Sequence, residues 1–409
     1  MSVNNRWFQL GASLIAMVMI ANLQYAWTLF VNPMREANGW SLAEVQYAFT
    51  LFILCQTWVQ PLDGWLIDRL GPRYFITAAG LLCGIGWAGM GYATSIPALY
   101  ALYALAGTGA AFVYSGCIGG ALKWFQDRRG FAAGVIAAGF GGGTALFIPI
   151  ISRIIATQDY RAAFFWTGLG QGVVIVLVAQ FLRHPPHAAV AGPARGAAIS
   201  TRPHFTTAEM VRTPQFYVMY AMFVMMSIGG LMVTAQAGPM AKFWGLSTAA
   251  LTVAASLSPL ANGGSRIFWG WASDRIGREK SMIIAFTLPA VALLLVLGLG
   301  HLSAAWFAAT LVFVYFTWGE IYSLFPSLTG DYFGSRNATS NYAVMYTAKG
   351  VASIVGGGVA AMLFERFGTW SVGFYGSAAL ALTAAALAVG LRAAGAPAPR
   401  AQTVAAVGR

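Results

Sequence analysis

Charge is what this 409-residue sequence lacks. Asp, Glu, Lys and Arg together make up 9% of it, against roughly 25% in a typical soluble domain. A water-soluble chain of this length could not cover its surface with so little charge, so a soluble globular protein is excluded. Histidine is scarce too: His184, His187, His204 and His301 all lie in loops or at the ends of apolar runs, which argues against a histidine proton relay. The three cysteines, Cys55, Cys83 and Cys117, fall inside apolar segments at unrelated spacings, so neither a disulfide framework nor a metal site is indicated. There is no H-E-x-x-H, no nucleophile elbow and no phosphate-binding loop, and with them go the membrane-enzyme readings those motifs would carry. No long extramembrane segment offers a sensor or receptor domain.

Apolar residues are abundant, at 58% with 48 glycines. Lipid tolerates such a chain, because its hydrocarbon favours apolar side chains and its helices need small residues to approach closely. The formal charge of +12 does not point to nucleic acid, since the basic residues lie in short loops and form no basic domain. Apolar runs of about 20 residues, each enough to cross a bilayer, occur near 7–31, 43–67, 74–93, 97–122, 131–156 and 162–183, then near 214–240, 247–270, 280–299, 302–326, 338–364 and 370–392. The first is too long for the apolar core of a cleaved signal peptide and reads as a span. These twelve runs predict an all-α polytopic membrane protein with an N-terminal six-helix bundle (1–183), a linker (184–213), a C-terminal six-helix bundle (214–392) and a disordered tail (393–409). The linker and tail are rich in Ala, Pro and Gly, a composition that packs no core. Seventeen Lys and Arg residues fall on the side of the termini and linker and five on the other, which predicts cytoplasmic termini.

The chain repeats itself. Gly64-Trp65-Leu66-Ile67-Asp68-Arg69-Leu70-Gly71 returns 206 residues later as Gly270-Trp271-Ala272-Ser273-Asp274-Arg275-Ile276-Gly277, each copy after an even-numbered span, in a predicted cytoplasmic loop. Two copies at half-chain offset indicate duplication. Asp68 and Asp274 are placed to cap the next helix, and Gly64, Asp68, Arg69, Gly71, Gly270, Asp274, Arg275 and Gly277 form a candidate gating motif that locks helices and releases them. With paired Asp-Arg-x-Gly segments, twelve spans and a central linker, the chain resembles the major facilitator superfamily throughout its length. The resemblance implies a substrate held near the midplane between two rocking halves.

Two cations belong to neither loop set. Arg266 lies late in the eighth span and Lys349 in the middle of the eleventh. A charge there costs about 2.5–3.5 kcal/mol on insertion scales, which suits a cavity that binds a carboxylate. At the repeat offset Arg266 faces neutral Gln60, and Lys349 aligns with Ala138, so the fold itself requires neither cation. Glu320 in the tenth span is the candidate counter-charge or coupling acid, and its protonation decides whether the site suits one carboxylate or two. Gln24, Tyr25, Gln46, Tyr114, Trp318 and Tyr322 are candidates to line the cavity.

Five blocks sharpen the resemblance: Gln24-Tyr25-Ala26-Trp27-Thr28, Asn262-Gly263-Gly264-Ser265-Arg266 followed by Phe268-Trp269-Gly270, Phe316-Thr317-Trp318-Gly319, Leu324-Phe325-Pro326 and Ala348-Lys349-Gly350. In this order they are similar to the oxalate:formate antiporter family. That likeness implies that Arg266 and Lys349 hold the two carboxylates of oxalate, enclosed by Gln24, Tyr25, Gln46, Tyr114, Trp318 and Tyr322. It further implies a bacterial inner (plasma) membrane location. A proton-coupled carrier of formate, lactate or pyruvate is the alternative, with Glu320 titrating. The expected partners are a small carboxylate and the lipid bilayer; no nucleic acid, cofactor or metal is expected, and the carrier is expected to be a monomer.

Overall fold

The computed structural model describes residues 4–125, 129–185, 204–334 and 337–397, without the side chains of residues 64, 65, 68, 69, 129–131, 133 and 339. Among the described residues every regular element is a helix. Ten helical stretches are individually long and apolar enough to cross a membrane. Two more complete the set of twelve. The third span is the part of Gln60–Met90 that follows Gly71. The eighth is Thr248–Ile276, whose apolar character is diluted by Pro259, Asn262 and Arg266.

Polar residues at the helix starts explain where the spans begin. An α-helix leaves its first N–H groups without internal partners, and a Ser, Asp or Asn before it supplies an acceptor. Asn5, Ser41, Asp159, Ser247 and Ser303 all do so. The duplication appears at this level as well. Gly39 and Gly245, 206 residues apart, both turn the chain at φ +70°, and Ser41 and Ser247 cap the helices that follow. Gly71 (φ 76°, ψ 158°) and Gly277 (φ 94°, ψ 150°) share a conformation that only glycine adopts readily.

The structure alters two sequence expectations here. The repeated motif is not a loop: Gly64–Leu70 and Gly270–Ile276 are the last turns of helices, and the break comes at the terminal glycine. Asp274 pairs with Arg278 across that break, whereas the side chains of Asp68 and Arg69 lie outside the described residues. The end of the expected linker is also ordered. Thr206 and Glu209 form a reciprocal cap on the short helix Thr207–Met210, and Phe205 N–H donates to Phe333 O at 2.9 Å. The rest of the linker (186–203) and tail (398–409) lies outside the described residues.

Five spans are discontinuous among the described residues. The first breaks at Ala26, between Arg6–Tyr25 and Trp27–Asn38. The second breaks at Val59, between Leu42–Trp58 and Gln60–Met90. The tenth breaks at Gly319-Glu320, between Ala304–Trp318 and Ile321–Phe333. The fifth passes through a 3-10 turn at Gly143–Leu146 and the eleventh through a π turn at Ile354–Val359, so equivalent spans of the two halves both leave α geometry. Broken helices are where this kind of membrane fold builds sites, because they free backbone polar groups and redirect side chains.

Among the described residues, several polar contacts join the halves at the end away from the chain termini. Gly238 N–H donates to Thr28 Oγ1, Asn32 Nδ2 donates to Gly238 O at 3.0 Å, and Glu36 pairs with Lys242. Glu365 Oε1 accepts from Leu42 N at 2.7 Å and Ala43 N at 3.1 Å, closing the eleventh span onto the start of the second. Ser152 and Thr252 join the fifth and eighth spans at 2.7 Å. A Cβ on Gly238 would stand 2.2 Å from Thr28 O, so this contact depends on the missing side chain.

Candidate functional site

Midway along the bundle the two cations of the C-terminal half reach across to the N-terminal half. Lys349 is 0% exposed and donates from Nζ to Gln24 Oε1 at 2.8 Å, Gln56 Oε1 at 2.9 Å and Tyr346 OH at 3.3 Å. Arg266, 7% exposed, donates to Ala137 O at 3.1 Å in the fifth span and to Asn262 Oδ1 at 2.9 Å on its own helix. Every one of these acceptors is neutral. Among the described residues neither cation has an ion-pair partner within 4 Å, and the two interact electrostatically with each other. They share Tyr322, with Arg266 Cζ 4.5 Å and Lys349 Nζ 5.8 Å from its ring centroid, a favourable placement of cations against a π face.

Aromatic side chains complete the shell. Tyr25, Tyr114, Tyr322 and Tyr346 all interact electrostatically with Arg266. Tyr25 packs on Phe140 at 5.6 Å and on Trp318 at 6.5 Å, and Trp318 stands edge-on to Tyr322 at 5.6 Å. The Trp318 ring lies directly over the backbone of Gly230 in the seventh span, where a Cβ would fall 2.1 Å from it. Six buried polar atoms of this shell make no hydrogen bond: Gln24 Nε2, Gln56 Nε2, Tyr25 OH, Arg266 Nε, Trp318 Nε1 and Tyr322 OH. All six can donate. Buried donors without partners are costly, and a group rich in acceptor lone pairs, such as a carboxylate, would satisfy them.

The structure thus gathers Arg266, Lys349, Gln24, Tyr25, Tyr114, Trp318 and Tyr322 into one shell. It places Gln46 elsewhere: the amide donates to Ala235 O at 2.7 Å and Gln236 Oε1 at 3.1 Å and accepts from Trp27 Nε1 at 3.1 Å, so it clamps the first, second and seventh spans. Glu320 departs as well. It is 0% exposed, both carboxylate oxygens lack a hydrogen-bond partner, and neither Lys349 nor Arg266 pairs with it. Gln56 and Tyr346, absent from the sequence-based set, contact Lys349 directly. A helical-face reading could have found both, since Gln56 is four residues before Gln60 and Tyr346 three before Lys349. A second buried acid, Asp63 at the end of the second span, accepts a hydrogen bond from Ser115 Oγ of the fourth.

Comparison with known proteins is consistent with this architecture. The sequence profile of the Major Facilitator Superfamily matches residues 12–356 and, separately, 218–407. The chain is 41% identical to the oxalate:formate antiporter of Oxalobacter formigenes over 386 residues, covering 94% of this chain and 91% of that protein. It is 27% identical over 355 residues to the uncharacterized MFS-type transporter YhjX of Escherichia coli K12, covering 85% and 86% of the two chains. More distantly, it is 23% identical to monocarboxylate transporter 12-B of Danio rerio over 344 residues, covering 77% and 72%.

Proposed function

Because this chain belongs to the Major Facilitator Superfamily, we propose that it is a secondary transporter of small carboxylates that exchanges oxalate for formate by alternating access. The observation that carries this reading is the pair of buried cations held only by neutral acceptors and surrounded by unpaired donors. Its similarity to a curated oxalate:formate antiporter supports the same substrate class. Arg266 and Lys349 each take one carboxylate of the dianion, while Gln24, Tyr25, Tyr114, Trp318 and Tyr322 donate around it. Gln46 contributes by holding the second span against the seventh. The reaction is transport without covalent chemistry.

Charge balance favours a dianion. An ionised carboxylate with no partner in a dry site would cost many kcal/mol, so Glu320 is taken as neutral. The pair then presents two positive charges, which oxalate cancels and formate halves. Binding therefore relieves mutual repulsion of the cations, and the empty form is the one least ready to cross between states.

We place the carrier in a bacterial inner membrane as a monomer embedded in lipid, with the termini in the cytoplasm. Residues 1–183 and 214–392 are its rocking halves, joined by 184–213 and followed by the tail 393–409. The repeated segments with Gly64, Asp68, Arg69 and Gly71, and with Gly270, Asp274, Arg275 and Gly277, act as a gating motif that locks helices together on the cytoplasmic side and releases them during transport. Glu320 also supports a second reading, a proton-coupled monocarboxylate carrier, since a buried unpaired acid is a site where a proton can ride. Reconstitution separates the two. Liposomes loaded with formate, oxalate or buffer are given labelled oxalate outside. Exchange requires uptake only with anion inside, and uptake driven by a pH gradient into buffer-loaded vesicles would overturn it.

A further inference from the structure

Among the described residues, the two ends of the cation site are closed by different kinds of contact. Away from the termini, polar contacts between the halves run through several layers, from Glu36–Lys242 and Glu365 inward to Gln46. Toward the termini, one helical turn from Lys349, the described residues close the site with a pair of rings, one from each half. Tyr114 of the fourth span stacks on Tyr346 of the eleventh, with centroids 5.8 Å apart and planes 12° from parallel. Each ring is anchored within its own half. Tyr114 stands edge-on to Phe140 at 5.5 Å. Tyr346 packs edge-on to Tyr322 at 6.2 Å and Phe223 at 6.1 Å, and its hydroxyl accepts from Lys349 Nζ at 3.3 Å. Beside this stack, Trp58 Nε1 donates to Thr347 O at 3.2 Å. One turn further toward the termini, Tyr342 packs on Tyr346 at 5.7 Å.

We propose that Tyr114 and Tyr346 form the inner gate of this carrier, one ring from each half, which must unstack for the anion to pass on the side of the termini. The identification of what passes rests on the carboxylate-exchange reading above. The physical logic is that of a weak, reversible contact. An offset ring pair buries apolar area and contributes a modest stacking energy, enough to exclude water from the cations yet small enough to open without unfolding either half. Tyr346 has a second task. Its hydroxyl is a partner of Lys349, so a carboxylate that draws the ammonium away also loosens the ring that covers it. Anion binding and gate movement are thereby coupled through one side chain. Tyr346 is a positioning residue in this scheme, acting on the anion through Lys349.

The test reads access to the site and needs no transported anion. The full chain carries Gln56→Cys as reporter, with Cys55, Cys83 and Cys117 changed to Ala, in vesicles whose outer face is the termini-bearing side. Labelling by a membrane-impermeant maleimide is timed. Tyr346→Ala and Tyr114→Ala each raise the labelling rate, by about tenfold if the closed population falls in proportion, whereas Tyr346→Phe, which keeps the ring and loses only the contact with Lys349, raises it by much less. Tyr346→Leu serves if an alanine variant does not assemble, and it too raises the rate. Unchanged labelling in the ring-deleted variants overturns the gate, as does an equal rise in Tyr346→Phe. The substrate assignment fails separately, if wild-type vesicles exchange neither oxalate nor formate.

Discussion

Lys349 Nζ donates to Gln56 Oε1 at 2.9 Å, from the eleventh span to the second, so the buried ammonium of one half is held by a neutral amide of the other. An anion entering the site competes with that amide. The same contact that stabilises the empty site therefore has to weaken when the site fills, which links occupancy to the grip between the halves.

Removing the charge should separate function from stability. A buried cation with only neutral partners is a net burden on folding, because the desolvation of its charge is not repaid by an opposite charge. Lys349→Gln should abolish oxalate exchange and leave the melting temperature of the purified protein equal or higher. Arg266→Gln should act alike. A folded Lys349→Gln protein with normal exchange would remove the central role given to the pair.

Glu320 makes the next prediction. If the acid is neutral throughout the cycle, Glu320→Gln preserves its shape and charge, and oxalate–formate exchange stays within about threefold of wild type, less than 1 kcal/mol in transition-state terms. If the acid carries a proton across the membrane, the same variant exchanges anions but no longer responds to an imposed pH gradient. Flux with and without the gradient, measured on both proteins, distinguishes the outcomes.

Gly230 is the floor under Trp318. A methyl group there would overlap the indole, and overpacking of this kind costs about 1–3 kcal/mol. Gly230→Ala should tilt Trp318 away from Tyr322 and Tyr25. Its expected signature is a raised KM for oxalate with a smaller change in maximal rate, together with altered tryptophan fluorescence on substrate addition.

The paired glycines of the repeat give a backbone test. Gly71 and Gly277 hold positive φ with extended ψ, a region that costs other residues about 1–3 kcal/mol. Gly71→Ala and Gly277→Ala should each lower thermal stability by that order. Gly264, helical and with no atom within 4 Å of a would-be Cβ, is the control, and alanine there should be neutral or gain up to about 1 kcal/mol.

The halves of this molecule are legible in its sequence because lipid imposes a length on every span and penalises stray charge. Arg266 and Lys349 stand out for that reason alone. Gln46 and Gln56 are harder to tell apart: both are amides in the second span, but ten residues separate them, about 15 Å along the helix, and depth decides which one meets Lys349. Asp63 passes unnoticed as a span end beside the repeated motif, until packing brings it to Ser115. The breaks in the fifth and eleventh spans carry no hydropathy signal, since a 3-10 or π turn is as apolar as the α-helix it interrupts.

The π turn at Ile354–Val359 sets the angular phase of the eleventh span. At roughly 100° per residue, an unbroken α-helix would point Glu365 about 160° away from Lys349 around the axis. One wider turn takes up an extra residue and turns the outer segment back by roughly 100°. Both side chains can then address the second span, Lys349 at Gln56 and Glu365 at the N–H groups of Leu42 and Ala43. A single residue of winding thus determines that the helix grips its neighbour at two depths along one side, like a key cut on one edge.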